Sequence, residues 1–259
     1  MNYWLELSIE YANQRSYLDD LFRVYPTIPE GIREIDKSVW HNVSQAFEAE
    51  DNTALIKELL KFKLFPIKDS YVAYLRRDKG ALLRNPATVQ RLCGRLYEMR
   101  IDKIYDRVSE PKETNRQIGP MFKRWVKRAL KPHLVDLRTL KATSGNAILE
   151  ASDEEAGQFA RENLGYTIDK GLDFVARFNG NYVIGEAKFL TDFGGHQNAQ
   201  FEDAVRLFSE PNLKAIPISI LDGVPYISSR NKLHKRIIST YKDCNIMSAL
   251  VLREFLHQV

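Results

Sequence analysis

"LDFVARFNGNYVIGEAKFL", residues 172–190, carries the pattern that decides the fold of this chain. Residues 172–178 and 181–190 are strand-like runs joined at Asn179-Gly180. Asn-Gly is the preferred pair for a two-residue hairpin turn, because both positions require positive φ. A hairpin turning there brings Asp173 opposite Glu186. Strand side chains alternate, so Glu186 and Lys188 share a face. Two carboxylates and one ammonium therefore meet on one patch at the end of an otherwise apolar pair. Two acids at one point repel unless a cation holds them. Mg²⁺ takes oxygen ligands, needs few protein carboxylates and completes its shell with water and phosphate oxygens. It lowers the pKa of water and neutralises charge building on a phosphate. Lys188 beside such a pair would orient or deprotonate an attacking water, or stabilise a pentacovalent transition state. The bland alternative is a surface ion pair at a strand end.

The segments around the hairpin read as mixed α/β. "NAILEAS" (146–152) is strand-like. Ser152, with Glu155 three residues on, forms a capping box and opens a helix that runs to Gly165. A second helix spans 197–208 with Phe201, Val205 and Phe208 on one side, and 214–223 is a strand ending in Asp222-Gly223. The order is helix, strand, strand, helix, strand. The tail 226–259 is basic and then apolar, with a helix from about 245.

Asp173, followed thirteen residues later by Glu186-x-Lys188, resembles the PD-(D/E)xK nuclease superfamily, with Leu172 in place of the motif's proline. The element order also matches that superfamily's common core. "EAKFLTDFGGHQNAQF" (186–201) and "NRQIGPMFKRWV" (115–126) are similar to type II restriction endonucleases, a finer likeness covering 110–225. The resemblance implies an α+β fold: a helical N-terminal region, residues 1–110, for DNA recognition or dimerisation, and a catalytic core, 111–259, with a central mixed sheet flanked by helices. It further implies Mg²⁺ held by Asp173 and Glu186, catalysis by Lys188, and an additional acid from the preceding helix. Glu155 is the choice for that acid, with Glu154 and Glu162 as rivals. Double-stranded DNA as substrate, a homodimer that cuts both strands of a palindrome, and a cognate DNA methyltransferase as genetic partner are the remaining implications.

Charge distribution fits a polyanionic partner. Residues 1–60 carry five basic and eleven acidic side chains, a net −6 against +4 for the whole chain, leaving +10 for the rest. Residues 112–131 hold seven basic residues and one acidic. Ile118, Phe122, Val126 and Leu130 recur every four residues there, so an amphipathic helix turns Arg116, Lys123, Arg124, Lys127 and Arg128 outward, as a solvated face or a surface for phosphates. Asn85-Pro86 is a helix start. That helix turns Thr88, Gln90, Arg91 and Arg95 outward and Val89, Leu92 and Leu96 inward, the arrangement of a helix-turn-helix reader or of a plain solvated helix. In "DFGGHQNAQ" (192–200), Gly194-Gly195 would let backbone approach DNA, and Gln197, Asn198 and Gln200 would reach base edges. His196 reads as a phosphate contact or a structural residue. Other helices follow apolar spacing in 3–60: Trp4, Leu5, Ile9, Ala12, Tyr17, Leu18 and Leu21, then Val39, Val43, Ala46 and Phe47, then a helix capped by Asn52 or Thr53. "YPTIPEG" (25–31) is a loop.

Two alternatives stand beside this reading: a repair or recombination nuclease that reads DNA structure, and a non-catalytic helix-turn-helix regulator. No dinucleotide glycine fingerprint or nucleophile motif points to a metabolic enzyme. The 259 residues contain no apolar stretch near the ~18 needed to span a bilayer. The N-terminus lacks the pattern of a signal peptide, and two cysteines in no metal-like spacing argue against a disulfide framework or cysteine-held metal. A reducing, cytoplasmic setting is expected.

Overall fold

The computed structural model describes residues 1–13, 16–26, 33–111, 117–228 and 231–259, and the backbone but not the side chain of His196. The chain divides into two compact units: Met1–Thr27 with Thr114–Val259, and Ile28–Glu113. The first helices thus belong to the unit that carries the sheet, whereas the sequence places them with the N-terminal region. Their apolar faces explain the difference. Trp4, Leu5, Tyr17 and Leu21 are buried in one cluster with Phe255 and Leu256 near the C-terminus, contacts that sequence periodicity cannot assign.

In the sheet-bearing unit, α1 (Tyr3–Ala12) and α2 (Tyr17–Val24) precede α9 (Ile118–Ala129), β1 (Leu134–Val135), α10 (Leu137–Ala142), β2 (Ala147–Leu149) and α11 (Asp153–Asn163). Then come β3 (Phe174–Phe178), β4 (Asn181–Leu190), α12 (His196–Val205), β5 (Ile216–Gly223), α13 (Lys232–Ser239), β6 (Ile246–Met247) and α14 (Leu252–Gln258). The six strands lie in sequence order in one mixed sheet. β2–β3 and β3–β4 are antiparallel, while β1–β2, β4–β5 and β5–β6 are parallel. This is the α+β architecture expected, with the helix–strand–strand–helix–strand order present as α11, β3, β4, α12 and β5. The tail departs from expectation: its first ordered piece after α13 is β6, a two-residue edge strand beside β5, and α14 starts only at Leu252. Leu18, assigned to the apolar stripe by spacing, is 70 % exposed.

Strand alternation divides the core. Val175 and Ile184 pack with Phe159 and Ala160 of α11. Ala176, Phe178, Val183 and Ala187 pack with Phe122 and Val126 of α9. The four-residue repeat of α9 is all buried: Ile118, Phe122, Val126 and, just past its end, Leu130. α11 opens on the expected capping box, with Ser152 and Glu155 exchanging hydrogen bonds.

The second unit is helical: α3 (Lys37–Glu48), α4 (Asn52–Leu59), α5 (Val72–Arg77), α6 (Ala81–Arg84), α7 (Pro86–Met99) and α8 (Ile101–Val108). Its core gathers Val43, Leu55, Leu59, Leu92, Leu96, Ile104 and Val108. α4 is capped one residue earlier than expected, by Asp51, whose Oδ1 accepts from the Ala54 N–H. α7 begins at Pro86 as read, with Val89, Leu92 and Leu96 buried and Gln90, Arg91 and Arg95 exposed.

Candidate active site

The hairpin register is the one its turn predicts. Phe174 pairs with Gly185 and Phe178 with Asn181, across a turn in which Asn179 and Gly180 have φ of 49° and 83°. Asp173 lies just before β3. Its Oδ2 accepts the Ala187 N–H at 2.9 Å, which places the first acid beside the strand segment that bears the second. Ala187 faces the apolar core, so by alternation Glu186 and Lys188 point the other way.

Glu186 is 2 % exposed. Its Oε2 accepts from Lys188 Nζ at 2.8 Å and from Lys170 Nζ at 2.9 Å. Its Oε1 is buried without a hydrogen-bond partner. Burial, then the charge of Asp173, push the Glu186 carboxyl up to about 7, against the pull of Lys188 and Lys170. Lys188 Nζ also lies 3.4 Å from Asp173 Oδ2 and 3.5 Å from Asp203 Oδ2. Burial alone would lower the Lys188 pKa, but Asp173 and Glu186 outweigh it and push it up, so the ammonium persists at neutral pH.

Two members of this cluster lie outside the sequence pattern. Lys170, on the bend between α11 and β3, reaches Glu186 and also Asp203 Oδ2, at 2.5 Å. Asp203 comes from α12. Its carboxyl is held below the usual range: burial opposes this, but Lys170 and Lys188 outweigh it. One signal was available for Asp203, a charge on the same helix as buried Phe201 and Val205; Lys170 had none.

Glu155 is not in the cluster. Its carboxylate accepts from Ser152 N–H at 2.9 Å and Ser152 Oγ at 2.7 Å, closing the capping box, and those bonds hold its pKa low. Glu154 is ion-paired to Arg161, and Glu162 accepts from Gln158. On α9, Lys123 pairs with Asp153 and donates to Ala151 O, and Lys127 pairs with Glu150 at 2.6 Å. Both lysines line a shallow cleft that also takes in Asp173. Arg124 is exposed, and Arg116 lies outside the described residues. In the helical unit, Arg91 pairs with Asp69 at 2.7 Å and covers the Tyr71 ring, while Arg95 pairs with Glu98 at 2.7 Å.

In the loop after β4, Gln197 is buried and its Oε1 accepts the Thr191 N–H at 3.2 Å, a bond that ties α12 to the strand end. Asn198 is exposed, and Gln200 is half-buried and engaged. His196 begins α12.

The profile of a restriction endonuclease family covers residues 2–259. That family is described as the Tsp45I type II restriction enzyme, and the chain belongs to it. It is therefore a restriction endonuclease, a nuclease acting on double-stranded DNA. No curated protein and no solved structure matches the chain significantly. Among the described residues, no helix is long and apolar enough to cross a membrane.

Proposed function

We propose that the chain is a Mg²⁺-dependent, site-specific endonuclease of the PD-(D/E)xK type, with Asp173, Glu186 and Lys188 as its catalytic residues. The observation that carries this reading is the buried Glu186 carboxylate, one oxygen of which has no partner, between Asp173 and Lys188. A buried acceptor without a partner is costly in a protein interior. A divalent cation held there would satisfy it. Among the described residues no group of three or more His, Cys, Asp or Glu side chains is arranged to hold a metal. A two-carboxylate site fits Mg²⁺, which keeps several waters and shares phosphate oxygens.

Asp173 and Glu186 would hold the ion, which when bound supplies Lewis acidity to the phosphate and acidifies water. Lys188, as an ammonium, donates hydrogen bonds. It orients the attacking water and offsets negative charge as the water oxygen, giving up its proton to solvent, joins phosphorus and one P–O ester bond breaks, the leaving oxygen taking a proton from solvent. Asp173 is positioned by the backbone of β4, so acid, acid and ammonium move as one body.

Phosphates of the duplex are assigned to Arg116, Lys123, Arg124 and Lys127 of the α9 region, and to Arg91 and Arg95 of α7, by charge. The ion pairs of Lys123, Lys127, Arg91 and Arg95 must open for this, so Arg124 is the α9 cation most ready to act. Asn198, Gln200 and His196, in the segment after β4, are assigned to DNA contacts by residue type, and Gln197 to holding that segment. The helical unit supplies recognition or dimer contacts, a symmetric homodimer cuts both strands, and a methyltransferase of the same specificity protects the host DNA.

The test is a plasmid digest by the purified chain in Mg²⁺ and in EDTA, beside Lys188→Ala. Discrete Mg²⁺-dependent bands, absent with the variant, are expected. Intact DNA in all cases, with DNA binding retained, returns Glu186 and Lys188 to the status of an ion pair.

A further inference from the structure

Lys170 donates to Glu186 Oε2 at 2.9 Å and to Asp203 Oδ2 at 2.5 Å, and so bridges the strand acid and the helix acid. Lys188 donates to the same Glu186 oxygen at 2.8 Å. Two ammoniums thus converge on one oxygen while its twin has no partner. With Glu186 ionised, as a bound cation requires, Asp173, Glu186 and Asp203 carry one negative charge more than Lys170 and Lys188, the two lysines that pair with them among the described residues. Adding a divalent cation with both lysines in place would turn that into a positive excess in a poorly solvated site, where like charges repel strongly. One ammonium has to withdraw.

Geometry selects which. Lys188 touches three carboxylates and its side chain is 19 % exposed. The Lys170 side chain touches two and is 38 % exposed. The Lys170 backbone is anchored: its carbonyl accepts from Arg161 Nη1 at 3.0 Å and packs against Gly157, where a Cβ would come within 2.6 Å of it. Motion is therefore confined to the side chain, and Asp203 lies within its reach.

We infer that Lys170 is a resident counter-ion of Glu186 in the cation-free site, and that it withdraws from Glu186 onto Asp203 when a divalent cation binds at Asp173 and Glu186. Lys170 and Asp203 are thereby positioning residues: Lys170 holds the Glu186 carboxylate in place before loading, and Asp203 receives the ammonium afterwards. The inference rests on the reading of Asp173 and Glu186 as the cation-binding pair.

The test measures Mn²⁺ binding to the dialysed full chain without DNA, by electron paramagnetic resonance of the unbound ion. Lys170→Met removes the competitor and is expected to bind roughly tenfold more tightly, within the usual span of such coupling. Lys170→Arg keeps the charge and stays near wild type, which separates charge from packing. Asp203→Asn leaves Lys170 on Glu186 and weakens binding. If Asp203 acts through Lys170, that weakening shrinks in the Lys170→Met background. Unchanged or weaker binding by Lys170→Met overturns the inference, as does an Asp203→Asn loss that persists undiminished in the double variant. A wild-type chain whose weak binding is unaltered by Glu186→Gln overturns the cation-site reading itself, and this inference with it.

Discussion

The Ala187 N–H donates to Asp173 Oδ2 at 2.9 Å, just beyond the last ladder pair, Phe174 with Gly185. The first acid is thus fixed by the backbone between the second acid and the lysine. Any shift of β4 carries all three groups.

Gly185 tests that coupling. A Cβ there would lie 2.6 Å from Ile218 Cγ1 on β5. Gly185→Ala is expected to cost ~1–3 kcal/mol through overpacking, read by urea unfolding. It should also lower kcat, because the strand moves under Glu186. Wild-type kcat in a destabilised variant would show that the site tolerates the shift.

Removing the ammonium separates chemistry from binding. Lys188→Met should cut the cleavage rate about 10²–10³-fold, the usual loss for a preorganised transition-state donor. DNA affinity by fluorescence anisotropy should hold. A parallel loss of affinity would make Lys188 a binding residue instead.

Arg124→Ala is expected to weaken binding to cognate and non-cognate duplexes alike and to reduce the salt slope of log K by about 1, the signature of one phosphate contact. Anisotropy titrations at several salt concentrations measure it. A loss restricted to the cognate site would point to base reading.

Asp222 predicts a pH dependence. It is wholly buried and accepts from Tyr25 Oη, Ser248 Oγ and the Ala249 N–H. Burial outweighs these hydrogen bonds and pushes its pKa from 3.8 up to about 7. The folded state therefore binds this proton more tightly than the unfolded state does. Its contribution is fully present below pH 3.8 and is lost as pH rises through 7. The shift amounts to at most about 4 kcal/mol. Unfolding free energies at pH 5 and 8 should differ more in wild type than in Asp222→Asn, and equal differences would exclude the titration.

The sheet's centre was legible because its determinants are local. Asn179-Gly180 sets the hairpin register, and a period of two puts Glu186 and Lys188 on one face. α9 and α11 were likewise legible from a four-residue repeat and a capping box. β1 and β6 were not: strands of two residues have no alternation to read, and only their neighbours define them. Lys170 and Asp203 escaped for a related reason. They are 16 residues before and 17 after Glu186, and only tertiary folding unites them. Glu155 shows the converse. Its spacing from Ser152 was correctly read as a cap, and that same cap occupies the carboxylate.

The Asn2 side chain donates to Asn245 Oδ1 at 3.0 Å, and its backbone N–H donates to Lys242 O at 2.6 Å. These partners are synthesised more than 200 residues apart. On the ribosome, α1 must wait, its apolar face unsatisfied, until the segment around β6 emerges. The sheet-bearing unit closes late in translation, after the helical unit has been made, because the strand and helix that seat α1 follow that unit in the chain.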